Sequence, residues 1–226
     1  SSVVKTDALQ DVEDVEKEEE KPPKTTHVTV AAVGDIMMHD GQIKSGLDEK
    51  TGIYDYSEFF HVIKDEILSA DIGMADLETT LAGKEQKFTG YPCFNSPDEL
   101  ADALKDVGFN IIITSNNHSL DRGAQGALRT IQVLKERGLI PLGTYSSEED
   151  SKEILVVEKN DIKLSFLSYT YGTNGIPLPK DMPFLVNLID EEKILQDIDK
   201  ACGLSDAVIV YLHFGEEYQR MPSKAQ

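Results

Sequence analysis

Apolar positions change their spacing several times along this chain, and each change marks an element. Residues 28–33 form a short β-type apolar run that closes on Gly34 and Asp35. Over 56–68 the apolar residues Phe59, Phe60, Ile63, Ile67 and Leu68 recur at helical spacing and predict an amphipathic helix. Residues 71–77 predict a second strand, ending at Glu78. Ser96, Pro97 and Glu99 form a helix start, with Ser96 as cap, Pro97 at the first helical position and Glu99 completing a capping box. That helix should run to about Val107 and stop at Gly108.

Residues 110–114 predict a third strand, almost continuously apolar, that runs into Ser115, Asn116, Asn117 and His118. A further amphipathic helix over 126–137 is closed by Gly138, and 140–143 predict a short fourth strand. The runs 154–157 and 163–168 flank Asn160-Asp161, which predicts a hairpin turn. A helix over 190–201 precedes the strand 207–212, which delivers His213. Strands alternating with amphipathic helices predict a largely parallel or mixed sheet covered by helices, with one antiparallel pair.

Residues 1–26 break this pattern. They are polar and charged and end at Lys21-Pro22-Pro23-Lys24. Such a stretch buries too little apolar surface to offset chain entropy, so a disordered stalk or linker is expected over 1–26 and one domain over 27–226.

Charge narrows the choice of partner. The formal net charge is −19, of which the first 26 residues hold −4 and the remaining 200 hold −15. An acidic body disfavours sequence-independent binding to nucleic acid or to an anionic lipid surface. A polyanionic ligand would need a metal ion or a local basic pocket. The two cysteines, Cys93 and Cys202, make neither a disulfide framework nor a zinc spacing. No run of about 18 apolar residues exists, so no membrane span is predicted. The chain starts at Ser1-Ser2 without methionine, and any anchor or leader is expected in a segment outside it.

The chemistry gathers at strand ends. In open α/β sheets ligands bind beyond the carboxyl ends of the strands, and Asp35, Glu78, Asn117, His118 and His213 all lie at such ends. Each has a plainer reading: a turn or cap for Asp35, a solvent-facing acid for Glu78, an ordinary turn for Asn117 and His118, a satisfied core histidine for His213. Together, carboxylate, amide oxygen and imidazole make the donor mixture suited to Mn²⁺, Fe²⁺ or Zn²⁺. Two such ions, bridged by a carboxylate, would activate water for phosphoester hydrolysis. In that scheme His118 suits a proton donor to a leaving group, because imidazoles change charge near neutral pH. Asp121 either orients His118 or caps the next helix, the cap being the plainer role. Glu216 and Glu217 either extend the site or are simply exposed. His39, Asp40 and His61 read as surface or structural residues.

Four stretches carry a family resemblance: 33–37, 75–79, 115–123 and 213–218. In order and spacing they resemble the CapA/PgsA family of capsule and poly-γ-glutamate biosynthesis proteins, over residues 28–226. That family is similar to the calcineurin-like metallophosphatases, which implies a four-layer α/β/β/α sandwich with mixed sheets. Carried over, the resemblance implies a first metal on Asp35, a bridging Glu78, and a second metal on Asn117 and His213. It makes His118 the acid with Asp121 beside it, and leaves Asn116, Arg122, Glu216 and Glu217 as candidates to meet substrate. It implies divalent ions (two if the pattern is complete), poly-γ-glutamate or another anionic capsule polymer as partner, membrane-bound capsule synthesis proteins nearby, and no nucleic acid. The expected location is the outer face of a bacterial surface, anchored through a segment outside this chain.

Three departures stand against ordinary phosphatase activity. Met37 occupies a position where the wider superfamily has a histidine ligand, and Glu78 replaces the usual bridging aspartate. The chain also ends at Gln226, before the superfamily's last histidine-bearing segment, so the final strands are expected to be missing. Two alternatives therefore stay open: a divalent-metal phosphoesterase on an unknown small substrate, and a non-catalytic binding or assembly module.

Overall fold

The computed structural model describes residues 25–224 and residue 226; the expected stalk over 1–26 falls almost wholly outside them. Strand β1 (Val30–Ile36) is followed by the short helix α1 (Asp40–Ser45) and a small hairpin, β2 (Leu47–Asp48) with β3 (Ile53–Tyr54). Then come α2 (Lys64–Ser69), β4 (Ile72–Leu77), α3 (Glu99–Val107), β5 (Ile111–Ile113), α4 (Gly123–Glu136) and β6 (Ile140–Leu142). The last part holds β7 (Leu155–Lys159), β8 (Ile162–Thr170), α5 (Glu191–Cys202) and β9 (Ala207–His213).

Two sheets result. The first has the order β1-β4-β5-β6 and is parallel throughout. The second has the order β7-β8-β9, antiparallel at the hairpin and parallel between β8 and β9. The predicted hairpin turn is present: Asn160 and Asp161 both adopt positive φ, at 53° and 64°, as a two-residue type I′ turn requires. Helix α5 supplies the crossover that a parallel β8–β9 pair needs.

Side-chain alternation stacks these elements into four layers. Ala75, Leu77 and Ile112 of the first sheet pack on Leu100 and Leu104 of α3 and Val133 and Leu134 of α4. The opposite face, with Ile72, Met74, Ile111 and Ile113, meets Leu164, Phe166 and Ile209 of the second sheet. The outer face of that sheet, Leu167, Tyr169, Val208 and Val210, is covered by Ile194, Ile198 and Ala201 of α5. The order helix, sheet, sheet, helix is the expected sandwich.

Two local expectations fail. The helix expected over 56–68 is two 3₁₀ turns, Ser57–Phe59 and His61–Ile63, followed by the six-residue α2. Asp55 accepts a hydrogen bond from the Ser57 amide at 2.8 Å, and buried Tyr56 donates its hydroxyl to the Ile43 carbonyl. These contacts fix a tight turn where a helix would have begun. Of the apolar residues that suggested one face, Ile67 is buried while Phe59, Ile63 and Leu68 are exposed.

The capping box at Ser96 is also absent. Ser96 lies within 2.9 Å of Thr79 Oγ1 in the interior, and Asp98 takes the cap position without a side-chain cap. The Asp98 carboxylate instead grips Arg129 of α4 through two contacts of 2.7 Å. A bidentate ion pair to a neighbouring helix outcompetes a local cap here.

Candidate functional site at the carboxyl ends of the strands

The site lies where the two sheets open at their carboxyl ends, and strand alternation decides which side chains reach it. On β4, Ile72, Met74 and Asp76 share one face. On β9, Ile209, Tyr211 and His213 share the facing one. Core pairs deep between the sheets thus give way to a polar pair at the rim, where His213 Nδ1 lies 3.0 Å from Asp76 Oδ2. The Tyr211 hydroxyl donates to the same oxygen at 3.0 Å.

Asp35 arrives by a different device. Val33 pairs with Ala75, yet Asp35 pairs with Asp76, so β1 carries one extra residue at Gly34. A one-residue slip moves a side chain to the other face of the sheet. The bulge therefore puts Asp35 on the face of Asp76, 3.7 Å from His213 Nδ1, instead of among the helices.

Beyond β5 the chain turns sharply, and Asn116 holds that turn. Its amide nitrogen donates to Asp76 Oδ1 at 2.7 Å and to the Leu77 carbonyl at 2.9 Å, while its oxygen accepts from the His118 amide at 3.1 Å. Asn117 is thereby presented to the rim. Its oxygen lies 2.6 Å from His213 Nε2, and its nitrogen donates to Asn174 Oδ1 at 3.1 Å. His118 faces the same space, with Nε2 3.8 Å from Glu78 Oε1 and Nδ1 2.7 Å from Asp121 Oδ2. The Phe94 ring meets the imidazole edge-on, at a centroid distance of 4.7 Å.

Asp35, Glu78, Asn117, His118 and His213 thus meet around one open pocket of about 560 Å³. Glu216 and Glu217 line its mouth, with Met37 and His39 on the β1 side. His39 was expected to be a surface or structural residue; its ring stands over Phe94 and borders the pocket.

Asn116 and Arg122 do not line the pocket. Asn116 is buried with its amide spent on the contacts above. Arg122 is turned toward the loop over 89–93, bonding Thr89 and the Cys93 carbonyl. Asp121 does not cap α4, whose first residue has no side-chain cap. Its carboxylate takes the Phe94 amide and His118 instead.

The electrostatics are those of crowded carboxylates. Burial raises the Glu78 carboxyl to about 7, and the charges of Asp35 and Asp76 push the same way. Burial also raises Asp76, against the pull of its hydrogen bonds from His213 and Asn116. For His213 burial acts downward, but the hydrogen bond and charge of Asp76, joined by Glu78 and Asp35, outweigh it and raise the imidazole. Glu78 Oε2 is buried without a hydrogen-bond partner. An orphaned carboxylate oxygen inside a ring of acids and imidazoles is what a divalent cation would satisfy, so the donor set fits the expected metal chemistry.

Asp76, Tyr211 and Asn174 escaped the sequence reading as site residues. The available signal was an acid inside an otherwise apolar strand, since a fully buried carboxylate must have partners.

Comparison with known proteins agrees with this picture. The family model described as bacterial capsule synthesis protein PGA_cap matches residues 29–226. The chain is 28% identical to the Capsule biosynthesis protein CapA of Bacillus anthracis over 208 residues, covering 88% of this chain and 49% of that protein. It is 29% identical to the PGA biosynthesis protein CapA of Bacillus subtilis (strain 168) over 130 residues, covering 57% of this chain and 34% of that protein. The chain therefore spans about half, or less, of the curated relatives it matches. Among solved structures, a proposed 5'-nucleotidase from Staphylococcus aureus in complex with alpha-ketoglutarate superposes with a TM-score of 0.56 at 15% identity, over 85% of this chain and 38% of that one. That likeness shows the fold alone, a four-layer α/β/β/α sandwich.

Proposed function

Because the chain belongs to the bacterial capsule synthesis protein family PGA_cap, we propose that it serves capsule biosynthesis at the cell surface through a divalent-metal, hydrolase-like site. The observation that carries this reading is the buried, unpartnered Glu78 Oε2 inside the cluster of Asp35, Asn117, His118 and His213. Asp35, Glu78, Asn117 and His213 would hold the metal. When bound, it would supply a Lewis acid and an activated water.

The chain's own residues supply the rest. Asp121 takes the Nδ1 side of His118, so Nε2 is the nitrogen turned to the pocket, ready to pass a proton to a leaving oxygen. Phe94 packs against that ring and keeps it from rotating away. The pocket has four carboxylates and no lysine or arginine in its lining among the described residues. An anionic capsule polymer such as poly-γ-glutamate would therefore be held through the cation, not through basic side chains.

No helix among the described residues is long and apolar enough to cross a membrane. Surface anchoring and contact with membrane-bound synthesis proteins accordingly belong to the proposal and would act through other segments.

The test is metal analysis of the purified protein by mass spectrometry. A near-stoichiometric divalent ion is expected, lost in His213→Ala. Absence of any divalent ion would leave only a binding or assembly role. A second reading, phosphoester hydrolysis of a small substrate, draws on the His118–Asp121 pair. Turnover of phosphomonoesters or phosphodiesters, abolished in His118→Ala while poly-γ-glutamate is untouched, would favour it.

A further inference from the structure

We propose that Asp76 is the positioning residue of this site: it fixes the His213 ring so that Nε2, and not Nδ1, is the nitrogen offered to a cation beside Asn117. The inference rests on the metal reading above but concerns a residue outside the ligand set named there.

Asp76 is fully buried, at the carboxyl end of a strand whose other inward residues are apolar. Its two oxygens are both engaged. Oδ1 accepts from Asn116 Nδ2 at 2.7 Å, and Oδ2 accepts from the Tyr211 hydroxyl and from His213 Nδ1, each at 3.0 Å. A carboxylate in this setting can only accept. The proton on the imidazole must therefore sit on Nδ1, and a neutral ring has its lone pair on Nε2.

That lone pair points at an oxygen. Asn117 Nδ2 donates to Asn174 Oδ1, which turns Asn117 Oδ1 toward His213 at 2.6 Å. Two electron-pair donors at that separation need a positive centre in common, either a second ring proton or a cation. Asp76 thus presents a matched pair of ligand atoms from β9 and from the turn after β5. Through Asn116 it also frames the turn that carries Asn117 and His118.

Asp35, Asp76 and His213 could be grouped as ligands by proximity alone, since their donor atoms lie within 4.8 Å of one another. The hydrogen bonds separate their roles. Asp35 is half exposed and Glu78 has a free oxygen, whereas Asp76 has no oxygen to spare. Carboxylate partners of this kind set ligand orientation and are commonly worth 10–100-fold in metal affinity.

The experiment compares wild type with Asp76→Asn in the full chain. In Asp76→Asn, the introduced amide keeps its oxygen toward Asn116 and turns its NH₂ group toward His213, so Nδ1 must accept and the proton moves to Nε2. Nitrogen-15 NMR of the metal-free protein at alkaline pH, where the ring is neutral, should show the Nδ1–H tautomer in wild type and the Nε2–H tautomer in Asp76→Asn. Calorimetric titration with Mn²⁺ should show affinity reduced about 10–100-fold in Asp76→Asn.

An Nε2–H tautomer in wild type, which needs no variant to fold, overturns the proposal. So does a folded Asp76→Asn protein with unchanged Mn²⁺ affinity or tautomer. If wild type binds neither Mn²⁺ nor Zn²⁺, the metal reading fails, and the tautomer comparison still decides what Asp76 does.

Discussion

His213 Nε2 lies 2.6 Å from Asn117 Oδ1, although 96 residues separate them in the chain. Neither residue can make the pair alone, because one ends β9 of the second sheet and the other follows β5 of the first. The contact forms only when the two sheets are stacked in their native register. His213→Ala and Asn117→Ala should each weaken Mn²⁺ binding by at least tenfold. The double variant should lose less than the sum of the two free-energy changes, since each substitution already spoils a shared site. Calorimetric titration of the four proteins measures this. Strict additivity would mean that the two atoms do not serve one ion.

The His118–Asp121 pair should separate proton transfer from metal binding. If a hydrolysable ester is found, His118→Ala should cost roughly 10²–10⁴ in kcat, the usual range for a general acid. Asp121→Asn should cost less, because the introduced group can still accept from the Phe94 amide and support the loop. Neither change should alter metal content, since among the described residues the Asp121 carboxylate bonds only His118 and the Phe94 amide and meets none of Asp35, Glu78, Asn117 and His213. Loss of metal in Asp121→Asn would show that the pair belongs to the binding site.

Two glycines give a steric test of the loops around the pocket. A Cβ at Gly90 would lie 2.7 Å from the Asp40 amide nitrogen and 2.8 Å from His39 Cα, both backbone atoms that cannot swing aside. Gly90→Ala should therefore destabilise by about 1–3 kcal/mol and disturb the hydrogen bond from the Gly90 amide to Asp40. Gly34 sits at the β1 bulge with nothing within 4 Å of its would-be Cβ. Gly34→Ala should leave the melting temperature nearly unchanged. Equal effects in thermal melts of the two would contradict this packing.

The inner strands of the first sheet read well from the sequence, because Ile72–Leu77 and Ile111–Ile113 are buried on both faces and form near-continuous apolar runs. The layers followed from them. The cluster of Asp35, Glu78, Asn117, His118 and His213 was legible for the same reason, since all five lie at strand ends. What escaped was decided by contacts between distant segments. Nothing local distinguishes Ser96 as a buried residue paired with Thr79, or Asp98 as the partner of Arg129. The bulge at Gly34, which turns Asp35 to the correct face, shows only in the pairing with β4. Asp76 was visible as an acid in an apolar strand, but its three donors come from the β5 turn and from β9.

Without a bound cation the protein should be more stable in acid than in base. A carboxyl raised in the folded state is more easily protonated there than in the unfolded chain. Its stabilising effect is complete below the unfolded value and lost as pH rises. For Glu78 the window runs from 4.5 to about 7, a loss on the order of 3 kcal/mol. Asp76, also raised, acts in the same direction. A raised imidazole likewise stabilises fully below its unfolded value of 6.5 and loses that effect as pH climbs through the folded value, so His213 extends the decline. Thermal melts of chelator-treated protein should therefore fall between pH 5 and 8. Glu78→Gln should flatten the slope and raise the melting temperature at pH 8. Added Mn²⁺ should stabilise wild type most at the alkaline end, where it meets ionised carboxylates and binds only the folded state. A metal-free protein that grows more stable from pH 5 to 8 would contradict the burial that raises these carboxyls and the mutual field that adds to it.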